Sequence, residues 1–345
     1  MTAPPRPLIC VWEITLACTC RCTHCGSSAG DPRERELTTA EALDLIDALS
    51  ALKCRTVTLS GGEPLLRSDW PELARRITGS GMDAELMTNG LAVLDQADAI
   101  ADAGFRGVSF SVDGPAAVHD RLRRSPGGLD RLLEGAAELH RRGVRTGAVT
   151  QVGRFNLHLL EETHALVVES GFEGWLVQLT LPHGRAASEL CLTPAQLPEL
   201  EQTLVRLADR GQILVQTADT IGYMSRSEPR LRRSGHGRLG VWGGCQAGLR
   251  ALGITSDGTV RGCLSMPPAF DEGNVRERTL EDIWNDPGAF SYNRAFDPHD
   301  LQDACGGCSL ASICRAGCTG LAWASTGATT SNPYCLMAVE QRRAN

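Results

Sequence analysis

Residues 18–25 read CTCRCTHC, four cysteines within eight positions directly after a predicted first strand. Three of them, Cys18, Cys22 and Cys25, have the spacing C-x3-C-x2-C. Thiolates at this spacing in one loop can converge on a single iron–sulfur cubane, and three thiolates leave one iron open for another ligand. A zinc site with His24 as the fourth ligand, or buried structural thiols, are the alternatives. Cys20 lies outside the triplet, and we predict no metal-binding role for it.

The composition is that of an ordinary globular protein, apart from its cysteines. The 345 residues are 42% hydrophobic and carry a net charge of −7, which argues against general binding to nucleic acids or membrane surfaces. No apolar run approaches the roughly 18 residues of a membrane span, and the N-terminus lacks a signal peptide. We therefore predict a cytoplasmic protein with no nucleic-acid or membrane partner. In a reducing cytosol, 14 cysteines indicate metal ligands or catalytic thiols rather than disulfides.

Short apolar strands alternate with amphipathic helices from residue 8 to about 210. This alternation predicts an α/β fold with parallel strands and right-handed crossovers, either a doubly wound sheet or an incomplete barrel. After about residue 211 the alternation stops, and the Cys- and Gly-rich remainder needs an inorganic core. We predict domains at 1–210 and 241–345, joined by a linker at 211–240. The predicted strands are 8–16, 56–60, 83–88, 106–112, 144–151 and 173–180, and the predicted helices are 39–53, 69–79, 92–103, 127–142, 155–170 and 193–210.

Four loops with glycines and polar residues follow predicted strands. Because the carboxyl ends of parallel strands meet at one edge of the sheet, ligand-binding groups gather there. Any one loop is ordinary turn chemistry, but four on the rim that carries the three-thiol loop indicate a binding site. Glu63 can bind a cationic amine, and Ser111 with Asp113 can hold a ribose. The loops are SGGEP at 60–64, TNG at 88–90, SVDGP at 111–115 and TLPHGRA at 180–186.

The cysteine triplet followed by GGEP, TNG and SVDGP resembles the radical S-adenosylmethionine (SAM) superfamily over about residues 8–210. The resemblance implies a partial (β/α)6 TIM-like barrel and a 4Fe-4S cluster whose open iron is chelated by SAM. It also implies that one electron from the reduced cluster cleaves SAM to methionine and a 5′-deoxyadenosyl radical, which abstracts a hydrogen atom from the substrate.

The same resemblance implies roles for residues on the rim. Gly61, Gly62 and Glu63 would contact the methionine moiety of SAM, and Ser111 would contact its ribose. Asp113 is a weaker candidate for cofactor binding. Arg123 would approach the SAM carboxylate, and a solvated arginine is the alternative reading. The chain departs from the family at His24, where an aromatic residue usually precedes the last cysteine.

A second set of seven cysteines lies in the C-terminal part of the chain. Cys305, Cys308, Cys314 and Cys318 have the spacing C-x2-C-x5-C-x3-C, with Cys335 further on. Upstream, two more cysteines, at 245 and 263, complete the array. Such thiolates suit either a zinc ribbon or iron–sulfur sites. Seven thiolates fit two clusters better than one zinc ion, with one cluster short of a ligand.

This array resembles the SPASM extension of radical SAM enzymes over about residues 240–340. The resemblance implies a small Cys-rich domain with two auxiliary 4Fe-4S clusters, which makes three clusters in all. One cluster would be held by Cys305, Cys308, Cys314 and Cys335. The other would be held by Cys245, Cys263 and Cys318, with an unidentified fourth ligand.

The resemblance implies two classes of substrate. SPASM enzymes act mostly on ribosomally made peptides, which they cross-link, epimerise or oxidise, and others act on sugars, aminocyclitols or tetrapyrrole side chains. We predict a peptide substrate, with a small metabolite as the alternative and a non-catalytic iron–sulfur or zinc protein as a remote one. A reducing partner such as flavodoxin or ferredoxin is expected. Little chain precedes the first strand, so we expect a separate leader-peptide-binding protein where a leader is used. The arginine run at 230–238 is predicted to be solvated, with docking of an acidic leader as the alternative.

The remaining cysteines are predicted to be mostly structural. Cys10 in the first strand and Cys54 after the first helix are expected in the core. Cys191 follows the loop after the sixth strand, near the predicted active-site mouth. It is our candidate for the hydrogen-atom donor that a radical epimerase needs, and a packing role is the alternative.

Overall fold

A computed structural model describes residues 5–232 and 240–344 of the chain. Strands and helices alternate along the first 217 residues, and the remainder consists of short elements joined by loops. The strands are β1 Ile9–Thr15, β2 Thr56–Gly61, β3 Asp83–Thr88, β4 Gly107–Ser111, β5 Thr146–Val152, β6 Gly174–Leu179, β7 Leu214–Thr217, β8 Ala251–Ile254, β9 Thr259–Arg261 and β10 Gly273–Asn274. The helices are α1 Thr39–Ala51, α2 Trp70–Gly79, α3 Ala97–Asp102, α4 Ala116–Arg123, α5 Gly128–Arg141, α6 Leu160–Glu169, α7 Leu197–Asp209, α8 Glu228–Leu231, α9 Leu280–Asn285, α10 Ser291–Arg294, α11 Ala311–Cys314, α12 Thr319–Thr326 and α13 Leu336–Ala344.

The strands form one sheet in the order β10-β9-β8-β1-β2-β3-β4-β5-β6-β7. Each strand from β1 to β6 pairs in parallel with the next one along the chain. Within the described ranges β7 and β10 are the two edges, so the barrel is open. The predicted α/β fold with a partial TIM-like barrel is confirmed.

Helix α1 shows how local sequence specifies these elements. The Thr38 side chain accepts a hydrogen bond from the Glu41 backbone N–H, and the Glu41 carboxylate accepts one from the Thr38 N–H, which forms a capping box. Ala42, Leu45 and Leu49 recur at helical spacing and are buried against the sheet. The predicted helix at 39–53 is therefore confirmed to within two residues.

Two elements of the barrel were not predicted. Strand β7 pairs in parallel with β6 through Leu176 and Gln216, and helix α4 lies between β4 and α5. A four-residue strand is too short to show a period of two, which explains why the alternation seemed to stop near residue 211. No helix within the described ranges is both long and apolar enough to span a bilayer.

The C-terminal segment continues the barrel sheet. Strand β8 pairs in parallel with β1, where Ile9 lies opposite Ala251 and Trp12 opposite Ile254. Arg276 fastens this segment to α1, since its guanidinium donates to both carboxylate oxygens of Glu41 at 2.6 and 2.8 Å. The predicted division into two domains stays a proposal, and the sheet runs across it.

The Arg276–Glu41 pair should contribute measurably to stability. Arg276→Gln is expected to lower the free energy of unfolding at pH 7 by about 1–2 kcal/mol, because a charge-assisted bidentate contact is lost. The hydrogen bond from Arg276 lowers the pKa of Glu41 to about 2. A depressed carboxyl pKa stabilises the fold above the pKa of the unfolded chain, so the difference should shrink as the pH falls from about 5 toward 2. Urea unfolding at several pH values measures both effects.

Arg278→Gln is the matched control. Arg278 pairs with Asp286 at 2.9 Å, and both side chains are more than a third exposed. Exposed pairs of this kind contribute little, so this variant should lose much less stability than Arg276→Gln. Equal losses of stability in the two variants would contradict the proposed fastening of the C-terminal segment.

Candidate functional site

The cysteine loop leaves the end of β1 in close contact with the loop after β2. The Gly62 N–H donates to the Thr15 carbonyl at 2.8 Å, and the Glu63 N–H donates to the Ala17 carbonyl at 2.7 Å. Gly61 has φ +137°, and a Cβ placed on it would lie 2.2 Å from the Thr15 carbonyl oxygen. A Cβ on Gly62 would lie 2.1 Å from the Ala17 oxygen. The paired glycines therefore permit the backbone approach that directs the chain into the cysteine loop.

Loops from the other strands hold the cysteine loop from the remaining sides. After β6, the Arg185 backbone N–H donates to the Cys25 carbonyl at 2.9 Å, and its Nε donates to the Cys22 carbonyl at 2.9 Å. At the end of α4, the Leu122 carbonyl accepts from the Thr23 N–H at 2.8 Å. A segment with no regular secondary structure is thus fixed by hydrogen bonds from the backbone of its neighbours and from the Arg185 side chain.

Cys18, Cys20 and Cys22 lie close together, and all four thiols of the loop are free. The Asn89 amide lies 3.7 Å from the Cys18 sulfur, and the Cys20 backbone N–H lies 3.4 Å from it. A hydrogen bond from the Cys20 thiol lowers the pKa of both Cys18 and Cys22 to about 6. Thiolates are the metal-binding form of cysteine, so this donor set fits an iron–sulfur cluster. Cys20 is buried between the two thiols, and its lack of a metal-binding role stays a prediction.

Glu63 lies fully buried beneath this loop. Its carboxylate accepts hydrogen bonds from the Leu65 N–H at 3.2 Å, the Thr88 hydroxyl at 2.8 Å and the Asn89 N–H at 2.7 Å. Burial raises the pKa of Glu63 to about 7, although the three hydrogen bonds act in the opposite direction. A carboxylate has about four lone-pair sites, which leaves one for a further donor. This geometry suits the predicted contact with a cationic amine.

Asp113 forms the centre of a buried ionic cluster. Its carboxylate accepts from Arg123 Nε at 2.9 Å and Nη2 at 2.7 Å, and His24 Nε2 lies 3.0 Å away. The Gln151 N–H donates to its other oxygen at 3.1 Å. Burial alone would raise the pKa of Asp113, but Arg123 and His24 lower it well below its ordinary value. The structure thus gives the Asp113 carboxylate partners other than a ribose, and gives Arg123 a carboxylate partner within the protein.

Several buried polar atoms beside the cysteine loop have no hydrogen-bond partner in the part of the chain that is described. They are His24 Nδ1, Thr180 Oγ1 and Arg185 Nη2, on the cysteine loop itself and on the loop after β6. Ser111 is half-buried at the end of β4, also without a side-chain partner among the described residues. Buried polar groups normally find partners, so these atoms fit a polar cofactor bound on this rim. The cofactor contacts of Gly61, Gly62, Glu63, Ser111, Asp113 and Arg123 stay predictions.

Four C-terminal thiols line a single cavity. Cys305, Cys308, Cys314 and Cys335 are the four that the sequence assigned to one cluster, and all four belong to the same cavity wall. The remainder of the wall is mostly apolar and includes the Tyr223 side chain. Four thiols around one apolar space match the donor set of a 4Fe-4S cluster.

The other three C-terminal thiols form a separate group. Burial raises the pKa of Cys318, and the neighbouring Cys245 and Cys263 thiols raise it further. Two buried donor atoms near Cys245, Tyr292 Oη and Arg315 Nε, have no hydrogen-bond partner in the described ranges. Donors without partners beside three thiols fit a cluster whose sulfur atoms accept hydrogen bonds.

Cys191 is buried near the mouth of the barrel. Its thiol lies 3.7 Å from the Ala187 carbonyl, and burial raises its pKa to about 11. The backbone on either side of Cys191 contacts two other segments. The Arg154 N–H donates to the Leu190 carbonyl at 2.9 Å, and the Tyr334 hydroxyl donates to the Leu192 carbonyl at 2.7 Å. Because its pKa is raised, the Cys191 thiol keeps its hydrogen at neutral pH, as a hydrogen-atom donor must. Its catalytic role stays a prediction.

Other sequence predictions concern structural residues. Cys10 and Cys54 are both part of the hydrophobic core, as predicted. In the arginine run, Arg230 is solvated as predicted and pairs with Asp209 at 3.0 Å. The prediction is wrong for Arg232, whose side chain is only 11% exposed because it pairs with the buried Glu228 of α8 at 2.7 Å. Residues 233 and 238 of this run lie outside the described residues.

Sequence reasoning assigned no role to several residues that build the site. Asn89 lies within TNG and Arg185 within TLPHGRA, and both of these loops had been singled out. The signal was their position directly after a parallel strand, which marks a rim residue but does not identify its contacts. His24 was considered as a zinc ligand and as a departure from the family pattern, but not as a partner of Asp113, which is 89 positions away in the chain.

Two protein-family models match the chain. The model described as Radical SAM superfamily matches residues 12–167, and SPASM, described as an iron-sulfur cluster-binding domain, matches residues 245–309. The first match contains the cysteine loop, the GGEP and TNG loops and the Asp113 cluster. The second contains the C-terminal cysteines from 245 to 308.

Curated proteins and solved structures are similar to this chain over nearly its whole length. The chain is 31% identical to the AdoMet-dependent heme synthase of Methanosarcina barkeri over 97% of each protein. It is 30% identical to the mycofactocin maturase of Mycolicibacterium smegmatis over 90% of this chain and 78% of that protein. Streptococcus suis SuiB bound to S-adenosylmethionine has a TM-score of 0.75 at 17% identity, over 95% of this chain and 76% of that one. The likeness to SuiB is one of fold alone.

Removing Arg123 should destabilise the protein strongly. Arg123→Ala would leave the Asp113 carboxylate buried with much of its charge uncompensated, and breaking a buried ion pair in this way costs about 3–5 kcal/mol. Urea unfolding of the anaerobically purified protein measures the loss. Arg121→Ala is the control, since Arg121 lies two positions away on the same helix and is exposed. A loss below about 1 kcal/mol in Arg123→Ala would contradict the ionic cluster.

Proposed function

Because this chain belongs to the radical SAM superfamily and carries a SPASM domain, we propose that it cleaves SAM reductively and abstracts a hydrogen atom from a carbon of a ribosomally synthesised peptide. The observation that carries the reaction is the three-thiol loop, held at the rim by the loops after β2, β3 and β6 and by the end of α4. In this proposal Cys18, Cys22 and Cys25 hold the 4Fe-4S cluster that binds SAM.

The cluster would supply the one electron needed for reductive cleavage of SAM to methionine and a 5′-deoxyadenosyl group, and that group would take a hydrogen atom from the substrate. The chain's own residues orient SAM. Glu63, with its remaining lone pair, would accept from the SAM amine, and Ser111 would contact the ribose. Gly61 and Gly62 keep side chains out of the space above the β1–β2 edge.

Arg123 has a modified role in this proposal. Its guanidinium already binds Asp113, and that pair is almost neutral as a unit. A guanidinium has five N–H donors, so Arg123 can still offer one to the SAM carboxylate while holding Asp113. Asp113 would then position Arg123 and His24 rather than contact the ribose.

The auxiliary clusters occupy the C-terminal segment in this proposal. Cys305, Cys308, Cys314 and Cys335 hold one, and Cys245, Cys263 and Cys318 hold the other. Both groups of thiols supply the soft sulfur ligands that iron–sulfur clusters prefer. The clusters would move electrons into or out of the substrate, and a small protein such as flavodoxin or ferredoxin would supply the reducing electrons.

A peptide substrate is supported by the relationship to the mycofactocin maturase and by the fold shared with SuiB. SuiB has also been solved bound to the precursor peptide SuiA, and this chain matches that structure with a TM-score of 0.73 at 16% identity. A tetrapyrrole is the second candidate, and the alignment with the heme synthase favours it. Both substrates carry carboxylates. Arg154, exposed beside Cys191 and without an ion pair in the described part of the chain, can bind such a group.

Formation of 5′-deoxyadenosine tests the reaction and the substrate together. Anaerobic, reduced enzyme would be incubated with SAM and with extract of the source organism separated into peptide and small-molecule fractions. We expect the peptide fraction to stimulate 5′-deoxyadenosine formation, and chromatography with mass spectrometry measures it. Stimulation by the small-molecule fraction alone, reproduced by a carboxylated tetrapyrrole, would replace the peptide with the second candidate.

Cys22→Ala is the control for this assay, because it removes one of the three thiols that hold the cluster. Its 5′-deoxyadenosine should fall at least a hundredfold, to the level without enzyme. Equal amounts from the wild type and Cys22→Ala in every fraction would overturn the proposed reaction.

A second experiment tests Cys191 as the hydrogen-atom donor. The Cys191 thiol would give its hydrogen atom to the substrate radical, and one electron and one proton would then restore the thiol. Cys191→Ala should therefore still form 5′-deoxyadenosine but should lose incorporation of solvent deuterium into the epimerised residue, as measured in D2O by mass spectrometry. Cys54→Ala, which removes another buried thiol, is the control. Unchanged deuterium incorporation in Cys191→Ala would exclude the role.

A further inference from the structure

Arg185, in the loop after β6, is attached to the cysteine loop at three points. Its backbone N–H donates to the Cys25 carbonyl at 2.9 Å, and its side-chain Nε donates to the Cys22 carbonyl at 2.9 Å. Its Nη1 donates to the Ala29 carbonyl at 2.7 Å. Two of these three carbonyls belong to residues that the proposed function assigns to the cluster, so the guanidinium lies against the backbone of the cluster ligands.

The turn that carries Arg185 is held close to the same residues. Gly184 has φ +62°, and a Cβ placed on it would lie 2.1 Å from the Gly26 carbonyl oxygen and 2.6 Å from that of Cys25. Only a glycine permits this approach of one backbone to another. The position of Arg185 beside the cysteine loop is therefore set by the backbone as well as by its side chain.

The positive charge of Arg185 has no carboxylate partner within the described ranges. The partners of its Nε and Nη1 are neutral carbonyl groups, and its Nη2 is buried without a hydrogen-bond partner there. Two other arginines beside the cysteine loop are each paired with a carboxylate, Arg123 with Asp113 at 2.7 Å and Arg21 with Asp31 at 3.2 Å. Arg185 therefore brings an uncompensated positive charge to the cysteine loop.

An uncompensated positive charge at this position has a defined effect on a cluster bound by the loop. An iron–sulfur cluster with thiolate ligands is anionic, and reduction by one electron adds a further negative charge. The net charge and the hydrogen bonds around such a cluster set its reduction potential. A cation held out of bulk water acts on that charge more strongly than a solvated cation does. A fixed guanidinium therefore favours the reduced form, which is the form that the proposed reaction requires.

We propose that the Arg185 guanidinium is the counter-charge of the cluster held by Cys18, Cys22 and Cys25, and that it raises the reduction potential of that cluster. The inference rests on the proposed function, since it takes these three thiols as cluster ligands. In this role Arg185 makes no bond to iron and acts through its charge. The electron itself comes from the reducing partner.

A redox titration followed by electron paramagnetic resonance (EPR) spectroscopy tests the charge without an activity assay. The full-length protein, reconstituted anaerobically with all its clusters, would be reduced stepwise with dithionite. The signal that changes on addition of SAM and is missing in Cys22→Ala identifies the cluster of the cysteine loop. At the midpoint potential of the wild type, Arg185→Gln should lower the ratio of reduced to oxidised cluster about tenfold, which corresponds to about 59 mV for one electron.

Two further variants separate the charge from the hydrogen bonds. Arg185→Lys keeps the charge but loses the planar fork of donors, so its ratio should stay within about threefold of the wild type. Arg21→Gln is the matched control. Arg21 also donates to a carbonyl of the loop, that of Cys18 at 2.7 Å, but its side chain is 44% exposed and paired with Asp31. Its removal should leave the ratio unchanged, because solvent and Asp31 already compensate its charge.

The outcomes separate the role of Arg185 from the function on which it rests. Equal midpoint potentials in the wild type and in an Arg185→Gln variant that retains its iron would overturn the counter-charge alone. Equally lowered potentials in Arg185→Gln and Arg185→Lys would also overturn it, since the effect would then come from the hydrogen bonds. If Arg185→Gln loses its iron, retention of iron by Arg185→Lys supports the counter-charge and loss in both contradicts it. Absence of any SAM-sensitive signal in the folded wild type would overturn the proposed function itself.

Discussion

The close approach of the paired glycines to the end of β1 is the constraint on which the site depends. Gly61 and Gly62 let the β2 loop lie against the carbonyl groups of Thr15 and Ala17 at distances that no side chain would permit. The contact aligns the start of the cysteine loop with the rim. A loop without secondary structure could not bring three thiols together reproducibly if its first residues were free. The proposed metal site therefore depends on the absence of side chains at Gly61 and Gly62.

The buried cluster of Asp113, Arg123 and His24 supports the loop from the other side. Burying charges is costly, and an ion pair of this kind is weak evidence for stability by itself. Its effect here is positional, because His24 belongs to the cysteine loop and Arg123 to α4, while Asp113 follows β4. One carboxylate therefore fixes two segments relative to a third. A neutral aromatic residue in place of His24 would pack in the same space but would not make this contact.

The C-terminal segment combines two means of stabilisation. Its strand β8 joins the barrel sheet beside β1, and Arg276 binds α1, so part of the segment relies on ordinary hydrogen bonding. The cysteine-rich remainder has short helices, although Leu321 and Leu336 in it join the hydrophobic core. Thiols gathered around a cavity, as at Cys305 and Cys335, place the proposed clusters where a larger domain would have a hydrophobic core.

The sequence by itself determined most of the order of strands and helices in the barrel and the loops that form the rim, and it predicted which cysteines work together. Each of these is encoded locally, in the periods of apolar residues, in a capping box such as Thr38–Glu41 and in cysteine spacing. It did not reveal β7, which is too short for a period. Only the tertiary structure decided the partners of Asp113 and the bridge that the Tyr223 hydroxyl makes between the Asp219 carbonyl and the Cys318 N–H. Those contacts join residues far apart in the chain, and they exist because the carboxyl ends of parallel strands converge on one rim.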